Sequence, residues 1–241
     1  METRQTGVTF TGGALASFGY SFLFLVLFLL IIPGAWGLAP FALWWTANLA
    51  FDDGGRAEFT GRPGQVWVLA AVLAFLAFLP GLATAGMAKG GKAALVQLAL
   101  AAVLFPLEAA VKLPLYRWFF ENIRLVPGGS PRFTGTYGAY LGWSALVAVS
   151  LVTIIGWAFA SVAMARWFCR HLESDAYVVQ FTGTGWGLLW RGFVWLAGMV
   201  CILPLPWVFR SIYAWWSAHL VVTRTAALGT AQDEFPGFGT A

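Results

Sequence analysis

Few side chains in this 241-residue chain are able to do chemistry, and most of them sit in or beside apolar runs. Glu108 and Lys112 stand four residues apart in a long apolar segment. On a helix they face each other, with the acid N-terminal to the base as such pairs prefer. Ionisable groups inside a membrane segment are costly, which makes the pair a candidate ion- or proton-coupling site. The plainer reading is a structural pair whose lysine reaches for the surface. Arg191 and Arg210 flank the break in the last apolar run. Brought together they would hold a phosphate or carboxylate; as separate residues they are orientation signals at the membrane surface.

His171 and His219 would ligate haem or a metal if they met. They occupy equivalent places in a repeat, however, and Asn48 and Asn122 fill the same place elsewhere. A polar side chain that caps a helix or bonds the backbone accounts for all four. Cys169 and Cys201 have no CxxC spacing and read as small buried hydrophobes. There is no HExxH, no GxSxG and no phosphate-binding loop. Asp52, Asp53, Glu173 and Asp175 lie in turn-rich stretches where solvation and turn roles suffice. No catalytic residue, cofactor or metal is therefore expected, and an enzyme is disfavoured.

The elements that would position these residues are set by composition. Sixty per cent of the chain is hydrophobic and only 10% is charged. A soluble domain carries about 25% charge, and a chain of this size has no means of hiding so much apolar surface from water. The net charge of +4 is spread thinly beside apolar runs. It reads as membrane orientation rather than nucleic-acid binding.

Phe-Thr-Gly occurs four times, at Phe10–Gly12, Phe59–Gly61, Phe133–Gly135 and Phe181–Gly183. Each is followed by an apolar run ending in an aromatic pair that begins at Trp44, Trp118, Trp167 or Trp215. The Phe-to-Trp offsets are 34, 59, 34 and 34 residues. Four residues after each Trp stands Asn48, Asn122, His171 or His219, and then Leu49, Ile123, Leu172 or Leu220. Composition scatters tryptophans but does not hold such offsets, so the chain is a fourfold repeat. Its units are about 8–55, 56–128, 129–178 and 179–224, with an insertion at about 82–106 in the second. Residues 1–224 read as one transmembrane domain, and 225–241 as a disordered tail.

A run of about 35 residues per unit is ~52 Å as one helix, too long for a ~30 Å hydrocarbon core. Pro33, Pro80, Gly156 and Pro204 break the runs near their middles, so each unit is expected to be a helical hairpin. Asp53-Gly54-Gly55 and Pro127-Gly128-Gly129 are turn chemistry between units, and predict β-hairpins at those joints. By symmetry the first strand is expected to pair with the last. Arginines gather at the joints, which places them on the cytoplasmic side. The expectation is an all-α polytopic membrane protein with short β-hairpins at its joints.

Arg132-Phe-Thr-Gly-Thr-Tyr-Gly-Ala-Tyr140, Ile154-Ile-Gly156, Arg166-Trp-Phe-Cys-Arg-His171 and Phe181-Thr-Gly-Thr-Gly185 together resemble the YjgN-like bacterial inner-membrane family. The likeness is best over roughly 131–224. Tyr137-Gly138-Ala139 departs from the family's Gly-Gly-Glu. The resemblance implies a multi-pass bacterial plasma-membrane protein and supplies no reaction. Two functions are carried forward. The first is a transporter or channel-like protein for a small solute, with anions among the candidates. The second is a non-catalytic accessory protein that binds lipid or stabilises a membrane complex. Membrane lipids are the expected partners, with a membrane protein or a second copy beside them and no nucleic acid.

Overall fold

The computed structural model describes residues 4–88 and 90–224; Lys89 and the 225–241 tail lie outside the described residues. The chain runs β1 (Arg4–Phe10), α1 (Ala14–Leu29), α2 (Gly34–Ala47), β2 (Leu49–Phe51), β3 (Arg56–Phe59), α3 (Trp67–Thr84), α4 (Gly91–Glu121) and β4 (Ile123–Val126). It continues with β5 (Arg132–Phe133), α5 (Tyr137–Ser150), α6 (Gly156–Arg170), β6 (Leu172–Glu173), β7 (Tyr177–Phe181), α7 (Gly185–Val200), α8 (Leu205–Ala218) and β8 (Leu220–Arg224). Each unit is thus a strand, two helical arms and a second strand. The arms pack as α1 on α2, α3 on α4, α5 on α6 and α7 on α8. Neighbouring units meet as α2 on α3, α4 on α5, α6 on α7 and α8 on α1, so the four hairpins close into a ring.

The all-α expectation is corrected. Six strands form one curled antiparallel sheet in the order β4-β3-β2-β1-β8-β7, and β5 and β6 form a separate pair. Pairing runs mainly within units rather than across joints. β1 pairs β2, β3 pairs β4, β5 pairs β6 and β7 pairs β8. The reason is geometric: a helical hairpin returns the chain to its starting level, so the strand that enters meets the strand that leaves. Of the joints, only the first pairs its strands, at Ala50↔Arg56. The second has a single bridge, Leu125↔Gly129. The first strand does pair with the last, with Gly7 opposite Val221.

The polytopic expectation is also corrected. Among the described residues, only α3 and α4 are long and apolar enough to cross a membrane. The other arms have 14 to 16 residues, or ~21–24 Å, well short of the hydrocarbon thickness. The insertion explains the exception, because it falls in unit two alone and lengthens both of its arms. Length arithmetic demanded two arms per unit; it did not make each arm a span.

The concave face of the sheet buries Val8, Phe51, Ala57, Leu125, Tyr177 and Val222 as one cluster. Asp53 ties the ring shut. Its carboxylate accepts from Arg224 Nε at 2.8 Å, from Thr6 Oγ1 at 3.2 Å and from the Gly55 N–H at 3.0 Å. The first joint is thereby linked to both β1 and β8.

Candidate functional site

The repeated residues build one clip four times. In each unit the Thr N–H bonds the carbonyl of the Asn or His that ends the second arm: Thr11 to Asn48, Thr60 to Asn122, Thr134 to His171 and Thr182 to His219, at 2.8–2.9 Å. Each of these Asn or His side chains reaches back one turn to the carbonyl of its unit's Trp. The distances are 2.8 Å for Asn48, Asn122 and His171, and 2.7 Å for His219. A carbonyl only accepts, so Nδ1 of both histidines is assigned the hydrogen. The orphan carbonyls of the last helical turn are satisfied in this way.

The aromatic half of the clip is equally regular. Phe10 meets Trp44, Phe59 meets Trp118, Phe133 meets Trp167 and Phe181 meets Trp215, all edge to face at 5.3–6.0 Å. The Phe ring lies over the Gly two residues on, and a Cβ at Gly12, Gly61, Gly135 or Gly183 would overlap that ring.

His171 and His219 are therefore engaged in the same role as the two asparagines. Among the described residues no three His, Cys, Asp or Glu side chains converge. His171→Asn is expected to change stability by no more than ~0.5 kcal/mol, because Asn48 and Asn122 already make that bond. His171→Ala is expected to cost about 1 kcal/mol. Thermal denaturation in detergent compares the two.

The other singled-out residues are dispersed. Glu108 and Lys112 pair at 2.8 Å on α4, both half-buried. Arg210 Nε donates to the Gly12 carbonyl at 3.0 Å, tying unit four to unit one. Arg166 and Arg117 reach the carbonyls of Gly183 and Gly135, at 2.8 and 3.5 Å. Arg191 turns to the Gly187 carbonyl of its own helix. Arg191 and Arg210 thus bond to different carbonyls and build no shared anion site. Cys169 is buried at the sheet end and Cys201 is exposed at the tip of unit four, so the buried reading fits only the first.

Two features escaped the sequence reading. Ile31, Ile154 and Ile202 each follow their Phe by 21 residues, and each has a positive φ, at 66°, 59° and 59°. β-Branched residues rarely adopt this conformation. The next N–H bonds the carbonyl of the residue before, in Ile32 to Leu30, Ile155 to Thr153 and Leu203 to Cys201. Each short hairpin therefore turns at its tip through a γ-turn of the left-handed kind. The fixed offset was legible; the turn was not, because isoleucine is no turn residue in water.

The second feature is a cavity of about 270 Å³ between the concave sheet and the helix ends. All four units contribute equivalent residues to it. Trp45, Phe168 and Trp216 come from the aromatic pairs, with Phe120 from unit two, and the residues after the clip, Leu49, Ile123, Leu172 and Leu220, lie beside them. None of the described residues that line it is charged. A larger cleft of about 1280 Å³ adjoins it, where β5–β6 stands apart from β7. Cys169, Leu172, Tyr177, Val179 and Phe181 line both spaces.

Tyr177 stands at this junction, almost fully buried, with its hydroxyl donating to the Gly129 carbonyl at 3.2 Å. Burial pushes its phenol up from 10.0 to about 12, a hydrogen bond with Ser174 partly offsetting the rise. The neutral form is the one the fold favours. Its contribution is complete below pH 10 and is lost as pH rises towards 12. Wild-type protein is expected to lose roughly 2 kcal/mol more than Tyr177→Phe between pH 9 and 12. Denaturant titrations at pH 9 and 12 measure the difference, and equal losses would exclude Tyr177 as the group responsible.

No family model, no curated protein and no solved structure matches the chain, so the site is read from its own geometry.

Proposed function

We propose that this chain is a non-catalytic accessory protein of the bacterial inner membrane, and that it binds lipid in the cavity on its ring axis. The observation that carries the reading is that cavity: four repeats place equivalent apolar residues around one space and no charge within it. Its volume is just below the ~300–1,000 Å³ usual for small-ligand sites. Transport of a small anion, the leading expectation from the sequence, had Arg191 and Arg210 as its anion site, and these hold separate backbone carbonyls.

The membrane placement has its own support. The hairpin tips expose Val152 (84%), Ile202 (71%) and Leu203 (86%). They carry aliphatic residues where a water-facing turn carries Gly, Asn or Asp. The N–H groups of Ile154, Ile155, Ile202 and Leu203 bond carbonyls of their own hairpins, as a lipid-facing backbone requires. On this reading α3 and α4 cross the bilayer, the three short hairpins enter it without crossing, and the arginine-bearing sheet lies on the cytoplasmic side. Membership of the YjgN-like family belongs to the same proposal, supported by the motif residues of units three and four.

Native mass spectrometry of protein released from the membrane in mild detergent tests the reading. A retained lipid mass is expected for wild type and its loss for Leu220→Trp, which fills the cavity. Flux of small anions into reconstituted vesicles, with no lipid retained, would favour transport instead.

A further inference from the structure

We infer that the cleft beside β7 holds the phosphate of an anionic amphiphile whose chain lies in the axial cavity. The inference rests on the lipid-binding reading and names the class of lipid. It starts from a break in symmetry. Around the ring β2 pairs β3 and β8 pairs β1, but β4 does not pair β5 and β6 does not pair β7. The strand ring is open on both sides of the β5–β6 pair, and on the β7 side the unpaired edge of β7 faces the cleft.

Arginines gather at the same opening. Arg132, Arg166 and Arg170 all line it. Two of the three have no counterpart in the repeat. Where unit three has Arg132, the other units have Thr9, Glu58 and Gln180; where it has Arg170, they have Ala47, Glu121 and Ala218. Arg166 has the structural task of holding the Gly183 carbonyl; Arg132 and Arg170 are left for a ligand. Glu173 and Asp175 share the cleft. Glu173 lies opposite Arg132 in the β5–β6 register, yet its carboxylate accepts from Thr134 Oγ1 at 3.1 Å. The ion pairs among the described residues are Lys112–Glu108 and Arg224–Asp53, so no described carboxylate lies within salt-bridge distance of Arg132 or Arg170.

A guanidinium matches phosphate oxygens in charge and in planar geometry. The cleft adjoins the apolar cavity along the residues they share. A phosphate at the arginines and a hydrocarbon chain in the cavity together satisfy both surfaces. A free phosphate would satisfy only the first.

Binding to purified full-length protein in detergent is measured by calorimetry with three probes: dodecyl phosphate, dodecyltrimethylammonium and inorganic phosphate. Dodecyl phosphate is expected to bind at least about tenfold more tightly than either of the others. Equal binding of the two amphiphiles would overturn the inference, and this comparison needs no variant. Inorganic phosphate binding as tightly as dodecyl phosphate would place a free anion in the cleft and overturn the amphiphile. The Arg132→Gln/Arg170→Gln double variant is expected to lose the preference for dodecyl phosphate while still binding both amphiphiles. Leu220→Trp is expected to weaken both amphiphiles alike. Loss of binding in Leu220→Trp with the preference intact in the arginine variant would keep the cavity and refute the cleft. The converse pair of results would keep the cleft and refute the cavity.

Discussion

Gly135→Ala is expected to destabilise the protein by roughly 3 kcal/mol, at the upper end of overpacking costs. The new Cβ would overlap the Phe133 ring and come against Trp167, both buried. Neither ring has room to retreat. Phe133 is held edge to face on Trp167, and the Thr134 N–H between Phe and Gly is bonded to His171. The strand end, the helix end and the aromatic pair would have to shift together. Gly13→Ala is the control. It adds the same methyl one residue beyond another of the motif glycines, where nothing lies within 4 Å. Its backbone is extended, with φ −71° and ψ 154°, so alanine fits and is expected to be neutral or to stabilise by up to ~1 kcal/mol. Thermal denaturation of both variants in one detergent is sufficient. Equal midpoints would mean that the clip does not hold the repeat together.

Asp53→Ala is the second large effect, at about 3–5 kcal/mol. The Asp53 side chain is only 8% exposed and that of Arg224 19%. Removing the carboxylate leaves Arg224 partly buried with its charge uncompensated, and strips acceptors from Thr6 and the Gly55 N–H. The loss falls where β8 meets β1, so the ring is expected to open at its closing pair. Hydrogen exchange should then rise in β1 and β8 ahead of β3 and β4, whose pairing does not depend on Asp53. Uniform exchange across all four strands would argue that Asp53 has no special part in closure.

The repeat was legible because the clip needs fixed chemistry at fixed separations. Phe, Gly, Trp and Asn or His recur for one physical reason each, and the 34-residue offset counts out two arms and a tip. The roles of His171 and His219 were legible too, since only a backbone task is shared by His and Asn. The sheet was not. Asp53-Gly54-Gly55 announces a local turn, whereas nothing local announces that Phe10 will pair with Leu49 across two helices. Asp53 read as a turn residue for the same reason, its partner Arg224 lying at the far end of the described chain. Leu49, Ile123, Leu172 and Leu220 were picked out by position, but which way they face is decided by closure of the ring. The number of spans was not legible, because hydrophobicity alone does not separate an apolar arm of 14 residues from one long enough to cross a membrane.

The proposed membrane placement puts all joints on one face, with unit two alone reaching the other. Single cysteines at Ser130, Ser174 and Gly91, in a background lacking Cys169 and Cys201, test this in intact cells and in inverted vesicles. Ser130 and Ser174 are expected to label only from the cytoplasmic side, and Gly91, at the outer end of α4, only from the opposite side. Labelling of Ser130 and Ser174 from opposite sides, or of all three from the same side, would contradict it.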